Sequence, residues 1–195
     1  MKSKFIYWVF DKYLSKKDCN KLKKLDKNLT KAKVENFKYS KIRNSEVCFF
    51  NDPFIYELLE PCLINANKNA GWNFEINYNE SIQFTSYKKN QEYGWHMDLI
   101  HNQYLNNLNL NFKNKIRKLS MSVNLSDSKD YEGGELEFYD ENPLKSFEEN
   151  IIKCPEMKNQ GSIIVFPSYI YHRVTPVTKG RRISLVMWSL GPNFK

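Results

Sequence analysis

The sequence predicts a mainly β fold with flanking helices: a jelly roll of two sheets, buttressed by helices near the N-terminus. Two observations carry this. The hydrophobic pattern changes period near Asn73, from helical spacing to alternation, and short alternating segments then recur at near-even intervals with turn residues between them. At 195 residues, with 41% hydrophobic and 15% aromatic side chains, the chain also has the length and apolar content to fill one sizeable core and is not a disordered polymer. The expected organisation is a single domain over 1–195, with 1–72 as helical support and 73–195 as the β core.

Phe5 to Leu14 reads as a first strand and turn. Ser15 is a helix-cap candidate with Asp18 three places on, and Cys19, Leu22, Leu25 and Leu29 follow at helical spacing, giving an amphipathic helix with a lysine-rich outer face. Residues 30–45 are polar and loop-like, and Glu46 to Phe50 is a short strand. Asp52-Pro53 opens a second helix, whose expected buried stripe is Phe54, Leu58, Leu59, Cys62, Leu63 and Ala66, with Pro61 as a place for a bend or interruption. Strands are then expected at 74–78, 81–88, 93–98, 116–125, 134–139, 151–154, 162–166, 170–174 and 181–189. Their separators include Asn90, Gly133-Gly134, Gly161, Pro167-Ser168 and Lys179-Gly180. The Asn-rich segment 99–115 is too polar for a core strand and is expected to form a lid over the site described next, with His101 near its mouth.

Composition narrows the function classes. The net charge of +8 raises the question of a nucleic-acid partner, but the lysines fall where a helix would present them to solvent. Cys19, Cys48, Cys62 and Cys154 form no C-x-x-C or zinc-type spacing and are expected to be reduced thiols in the cytoplasm. The opening Met1 to Phe10 has a basic start and a short apolar run without a small-residue cleavage site, so a signal peptide is not expected. No stretch reaches the length needed to cross a bilayer, and no membrane partner is expected.

The chemistry lies in His96-Met97-Asp98 and in His172, followed by Arg182 and Ser184. Two imidazoles and a carboxylate are the donors that hold non-haem Fe(II) on one octahedral face and leave the other positions open. Side chains alternate along a strand, so His96 and Asp98 are expected to share a face, and so are Arg182 and Ser184. A guanidinium with a neighbouring hydroxyl suits the far carboxylate of a dicarboxylic cosubstrate. Tyr93, Trp95 and Trp188 are candidate substrate contacts, with core packing as the other role open to each.

These residues resemble the Fe(II)/2-oxoglutarate-dependent dioxygenases, in particular the prolyl 4-hydroxylase-like branch that includes the PKHD-type hydroxylases. The resemblance runs through Gln83 to Tyr87, Tyr93 to Asp98, Leu119 to Asp127, Tyr131 to Leu136, Gly161 to Pro167 and His172 to Arg182. It implies a double-stranded β-helix, with His96, Asp98 and His172 binding iron, Arg182 binding the 5-carboxylate of 2-oxoglutarate, and Tyr87 as a second cosubstrate contact. It further implies oxidative decarboxylation to succinate and CO₂ using O₂, with hydroxylation of a C–H bond and ascorbate as a candidate reductant. Many PKHD-type members continue into a further helical segment beyond the position of Lys195, so a contact carried there is not expected from these residues. The AlkB-like nucleic-acid demethylases resemble the chain only in the triad, because their extra arginine pattern is not matched by Arg182 to Trp188. A peptidyl, prolyl-type or small-molecule substrate is therefore expected ahead of a nucleobase. The reading from another class is a non-catalytic, cupin-like metal-binding barrel, which would have no use for Arg182.

Overall fold

Alternation in the sequence becomes, in the computed structural model, two antiparallel sheets of a double-stranded β-helix, described for residues 5–26, 28–32, 42–99, 109 and 111–194. In chain order the elements are β1 (Trp8–Phe10), α1 (Lys16–Lys23), β2 (Thr30–Lys31), β3 (Arg43–Asn44), β4 (Glu46–Phe50), α2 (Pro53–Asn69), β5 (Tyr78–Asn79), β6 (Ile82–Lys88) and β7 (Glu92–His96). There follow β8 (Lys115–Asn124), β9 (Tyr131–Gly133), β10 (Leu136–Tyr139), β11 (Ile151–Lys153), β12 (Ile163–Pro167), β13 (His172–Val174) and β14 (Val177–Pro192). The larger sheet runs β1-β12-β8-β14-β6-β4-β2, and the smaller runs β11-β10-β13-β7-β3.

The two faces of the larger sheet differ in chemistry because each strand alternates. Phe84, Leu119, Met121, Val123, Ile163, Val165, Ile183, Leu185 and Met187 point to one side and form a core with Leu22 of α1 and with Ile55, Leu59, Cys62, Leu63 and Ala66 of α2. On the other side the register sets Arg182 opposite Tyr87, Ser184 between Thr85 and Asn124, and Trp188 opposite Ser120. This polar face looks toward the smaller sheet. A second cluster containing Tyr87, Phe138, Ile164, Phe166 and Val174 closes the space between the sheets.

Several elements depart from expectation. The expected strands at Phe5 to Leu14 and Glu46 to Phe50 form as β1 and β4, pairing with β12 and β6, whereas β2 and β3 arise in the stretch expected to be a loop, β3 pairing with β7. Helix α2 runs through Pro61 without interruption. Proline cannot donate to the carbonyl of Glu57, but both residues face solvent, where water can take that bond. Phe54 is 46% exposed and Ile55 takes its place in the buried stripe. Residues 74–77 form no strand, although Asn77 N–H donates to Leu190 O at 2.9 Å and continues the edge of β14. Most of the expected lid, with His101, and much of the 30–45 loop lie outside the described residues. All four cysteines are free, and no described helix is long and apolar enough to cross a membrane.

Candidate active site

His96 and His172 face each other across the β7–β13 pairing, with ring centroids 4.1 Å apart. Each ring is fixed by one local hydrogen bond: Nδ1–H of His96 donates to Gly94 O at 2.8 Å, and Nδ1–H of His172 to Ile170 O at 2.9 Å. Both Nε2 atoms are thereby left as lone-pair donors. They lie 3.7 and 3.6 Å from the two oxygens of Asp98, and the three side chains form the metal-capable group among the described residues, with donor atoms within 4.8 Å of one another.

The route by which Asp98 reaches this point differs from the expected alternation along one strand. β7 ends at His96, and the backbone N–H groups of Asp98 and Leu99 both donate to Ser168 O, at 3.0 and 2.9 Å. This tight anchoring turns the carboxylate back toward the histidines. Ser120 Oγ–H donates to Asp98 Oδ2 at 2.7 Å and also meets Ser168 Oγ at 2.9 Å. Burial, with His172 as a second cause, pushes the His96 imidazole down to about 3. Burial alone would raise the Asp98 carboxyl, but His172, His96, Arg117 and Ser120 outweigh it and hold the group at about 2. A divalent metal needs an ionised carboxylate and ring nitrogens with a free lone pair; Asp98 is held ionised and each ring directs Nδ1 at a backbone carbonyl, so the donor set fits Fe(II).

Arg182 lies deeper, on β14 opposite Tyr87, and is only 2% exposed. Its Nη1–H donates to Ser184 Oγ at 3.3 Å, Tyr131 is within hydrogen-bonding reach, and the Tyr87 ring centre is 5.7 Å from Cζ. Arg182 Nε has no partner, and no acid among the described residues pairs with the guanidinium. A buried cation without a counter-charge is costly unless an anion completes it. Gly134 makes room for this side chain: at φ +61°, an added Cβ would stand 2.9 Å from Arg182 Cδ.

The model of the 2OG-Fe(II) oxygenase superfamily matches residues 82–190, a span that includes the triad and Arg182. The chain belongs to that superfamily. A PKHD-type hydroxylase of Alteromonas mediterranea is 38% identical to it over 106 residues, which are 54% of this chain and 41% of the relative. The PKHD-type hydroxylase YbiX of Escherichia coli is 33% identical over 105 residues, 54% of this chain and 40% of that protein. The aligned part thus spans about two fifths of these relatives' length. In overall fold the chain is similar to the viral collagen prolyl hydroxylase of Paramecium bursaria Chlorella virus-1, with TM-score 0.68, 21% identity, and 98% and 99% of the two chains covered. A Pseudomonas putida prolyl-4-hydroxylase gives TM-score 0.68 and 16% identity, over 95% of this chain and 92% of that one.

Other residues of this 2OG-Fe(II) oxygenase sort by which way they face. Tyr93 stacks on His96, centroids 3.5 Å apart and planes at 13°, and so stands beside the triad. Trp95 does not: it projects from the opposite face of β7, packs edge-on against Tyr139 and Phe147, and carries the Arg173 guanidinium 4.7 Å over its ring. Of the two roles expected for it, the contacts seen here are those of packing. Trp188 faces inward, and the Arg117 guanidinium lies over its ring at 3.9 Å, the residue being 7% exposed. Arg117 is in turn held by Glu80 through bonds of 2.6 and 2.7 Å, and its Nη1 lies 3.5 Å from Asp98 O. The sequence reading missed Arg117, Ser120 and Arg43. Strict alternation through Leu119-Ser-Met-Ser-Val123 was the signal that could have placed Ser120 inward. Cavities of about 450 Å³, beside α2, and about 240 Å³, beside Gly134 and Met157, contain no triad residue.

Proposed function

We propose that this 2OG-Fe(II) oxygenase is an Fe(II)- and 2-oxoglutarate-dependent hydroxylase. Its substrate would present an unactivated C–H bond in a peptidyl, prolyl-type or small-molecule compound. The observation that carries this reading is a three-donor site paired with a buried guanidinium that has no acid partner among the described residues. Iron with 2-oxoglutarate and O₂ would supply the oxidation, one oxygen atom going to the substrate hydroxyl and one to succinate as CO₂ leaves. His96 and His172 hold the metal through Nε2 and Asp98 through its carboxylate. Arg182, Ser184 and Tyr87 orient the cosubstrate by its far carboxylate, and the stacked Tyr93 limits water on one side of His96. A reducing cytoplasm suits both free thiols and ferrous iron, with ascorbate as a candidate reductant.

The test is succinate formation from 2-oxoglutarate by anaerobically Fe(II)-loaded protein when O₂ is admitted, with His96→Ala and Arg182→Ala alongside. Turnover in the wild type and loss in both variants is expected. If neither Fe(II) nor 2-oxoglutarate binds, the hydroxylase reading falls and the cupin-like barrel takes its place. Retention of turnover in Arg182→Ala would refute the role given to that residue. The nucleobase alternative has only net charge in its favour, and salt-dependent DNA binding would be the result that raises it.

A further inference from the structure

Two arginines, Arg43 and Arg182, flank Tyr87. Arg43 stands on β3 directly across from Tyr93 of β7. The strands are tightly joined there: Gly94 N–H donates to Ile42 O at 2.7 Å, and an added Cβ on Gly94 would lie 3.4 Å from that oxygen. The Arg43 guanidinium lies over the Tyr93 ring, 4.6 Å from its centre. His96 occupies the other face of that ring at 3.5 Å, so one aromatic ring separates the cation from a metal donor.

Arg43 also repeats the local chemistry of Arg182. Its Nε–H donates to Ser45 Oγ at 3.0 Å, as Arg182 Nη1–H donates to Ser184 Oγ at 3.3 Å, so each guanidinium leans on a buried serine two residues ahead. The two Arg-x-Ser units sit on different sheets and converge on Tyr87, Arg43 within hydrogen-bonding reach of it and Arg182 5.7 Å from its ring centre. Of the five arginines in the chain, Arg117, Arg173 and Arg181 each face a carboxylate. Among the described residues Arg43 and Arg182 face none. They differ in access, since Arg182 is sealed and Arg43 is half-buried.

We propose that Arg43 is a second carboxylate-binding residue, beside the triad and across the Tyr93 ring from His96. The proposal rests on the 2-oxoglutarate reading of the site. With Nε–H committed to Ser45 and one terminal N–H within reach of Tyr87, the remaining N–H groups of the terminal nitrogens are left for a carboxylate. That carboxylate belongs either to the prime substrate, close to its reacting carbon, or to the C-1 end of 2-oxoglutarate.

Calorimetry on Mn(II)-loaded protein separates these sources without relying on turnover. 2-Oxoglutarate is titrated into wild type, Arg43→Gln, Arg43→Lys and Arg182→Gln. The matched probes N-acetyl-L-proline and N-acetyl-L-prolinamide are then titrated into each Mn(II)·2-oxoglutarate complex. Loss of a charge-assisted bond predicts a weakening of at least about tenfold in Arg43→Gln, partly restored in Arg43→Lys. Weaker 2-oxoglutarate binding identifies the C-1 carboxylate as the source, whereas loss of a preference for the acid over the amide identifies the substrate. If Arg43→Gln changes both by less than about twofold, or if no preference for the acid exists in wild type and 2-oxoglutarate binding is unchanged, the proposal is overturned and Arg43 only packs Tyr93. A loss confined to Arg182→Gln defeats this proposal alone. Failure of wild type to bind 2-oxoglutarate defeats the reading of the site, and this proposal with it.

Discussion

Ser120 has one hydroxyl and two neighbours at the triad, Asp98 Oδ2 and Ser168 Oγ. Removing it leaves a buried carboxylate oxygen short of a charge-assisted bond and free to turn. Ser120→Ala is expected to weaken Mn(II) or Fe(II) binding by about tenfold to a hundredfold while leaving the circular dichroism spectrum unchanged. A metal titration within about twofold of wild type would mean that the backbone bonds to Ser168 alone orient Asp98. Arg182 invites the opposite experiment. Because its charge is buried with no acid partner among the described residues, Arg182→Met is expected to raise the melting temperature of the metal-free protein while abolishing 2-oxoglutarate binding. A lower melting temperature would show that Ser184 and Tyr131 already compensate the guanidinium. At this scale the sequence was informative where residue types are scarce: two of three histidines lie in the triad. Serines are common and Arg43 lies in a polar stretch expected to be a loop, so neither Ser120 nor Arg43 had such prominence.

The long alternating strands were legible because one face is apolar over many residues, as in β8 and β14. Short ones were not. β3 has two residues, too few to alternate, and it exists because β7 offers a partner edge. The extent of β7 was misread for a related reason: alternation predicts where side chains point only while the strand continues, and Asp98 reaches the metal site through the anchor at Ser168. Turns between elements are sensitive to geometry instead of polarity. Gly161, at φ +84°, links the β12 approach to the N-terminal segment, donating to Asn124 O at 2.8 Å and accepting from Leu14 N at 3.0 Å. An added Cβ there would stand 2.2 Å from Leu14 O. Gly161→Ala is therefore expected to cost about 1–3 kcal/mol, read by denaturant unfolding, with metal affinity preserved in the protein that remains folded. Unchanged stability would mean that the segment carrying β1 can move aside freely.

For the molecule as a whole, ligands that bind only the folded state should raise its stability. At a hundredfold excess over its Kd, Mn(II) or 2-oxoglutarate in the Mn(II) complex is expected to add about 2.7 kcal/mol. For a domain of this size that is a rise of roughly 5–11 °C in melting temperature for each ligand. Arg182→Gln should keep the first rise and lose the second, and a variant keeping both would remove Arg182 from cosubstrate binding. The larger sheet, apolar toward α1 and α2 and polar toward the smaller sheet, also bears on how such a protein changes over generations. Substitutions on the polar face at positions such as Thr85 and Ser184 can alter the chemistry between the sheets while the attachment to the helices is inherited intact. Insertion of a single residue within β14 would exchange the two sets, turning Ile183 toward the smaller sheet and a guanidinium toward the helices. Descendants can therefore diverge in chemistry by replacement along these strands, whereas changes in strand length have to come in pairs.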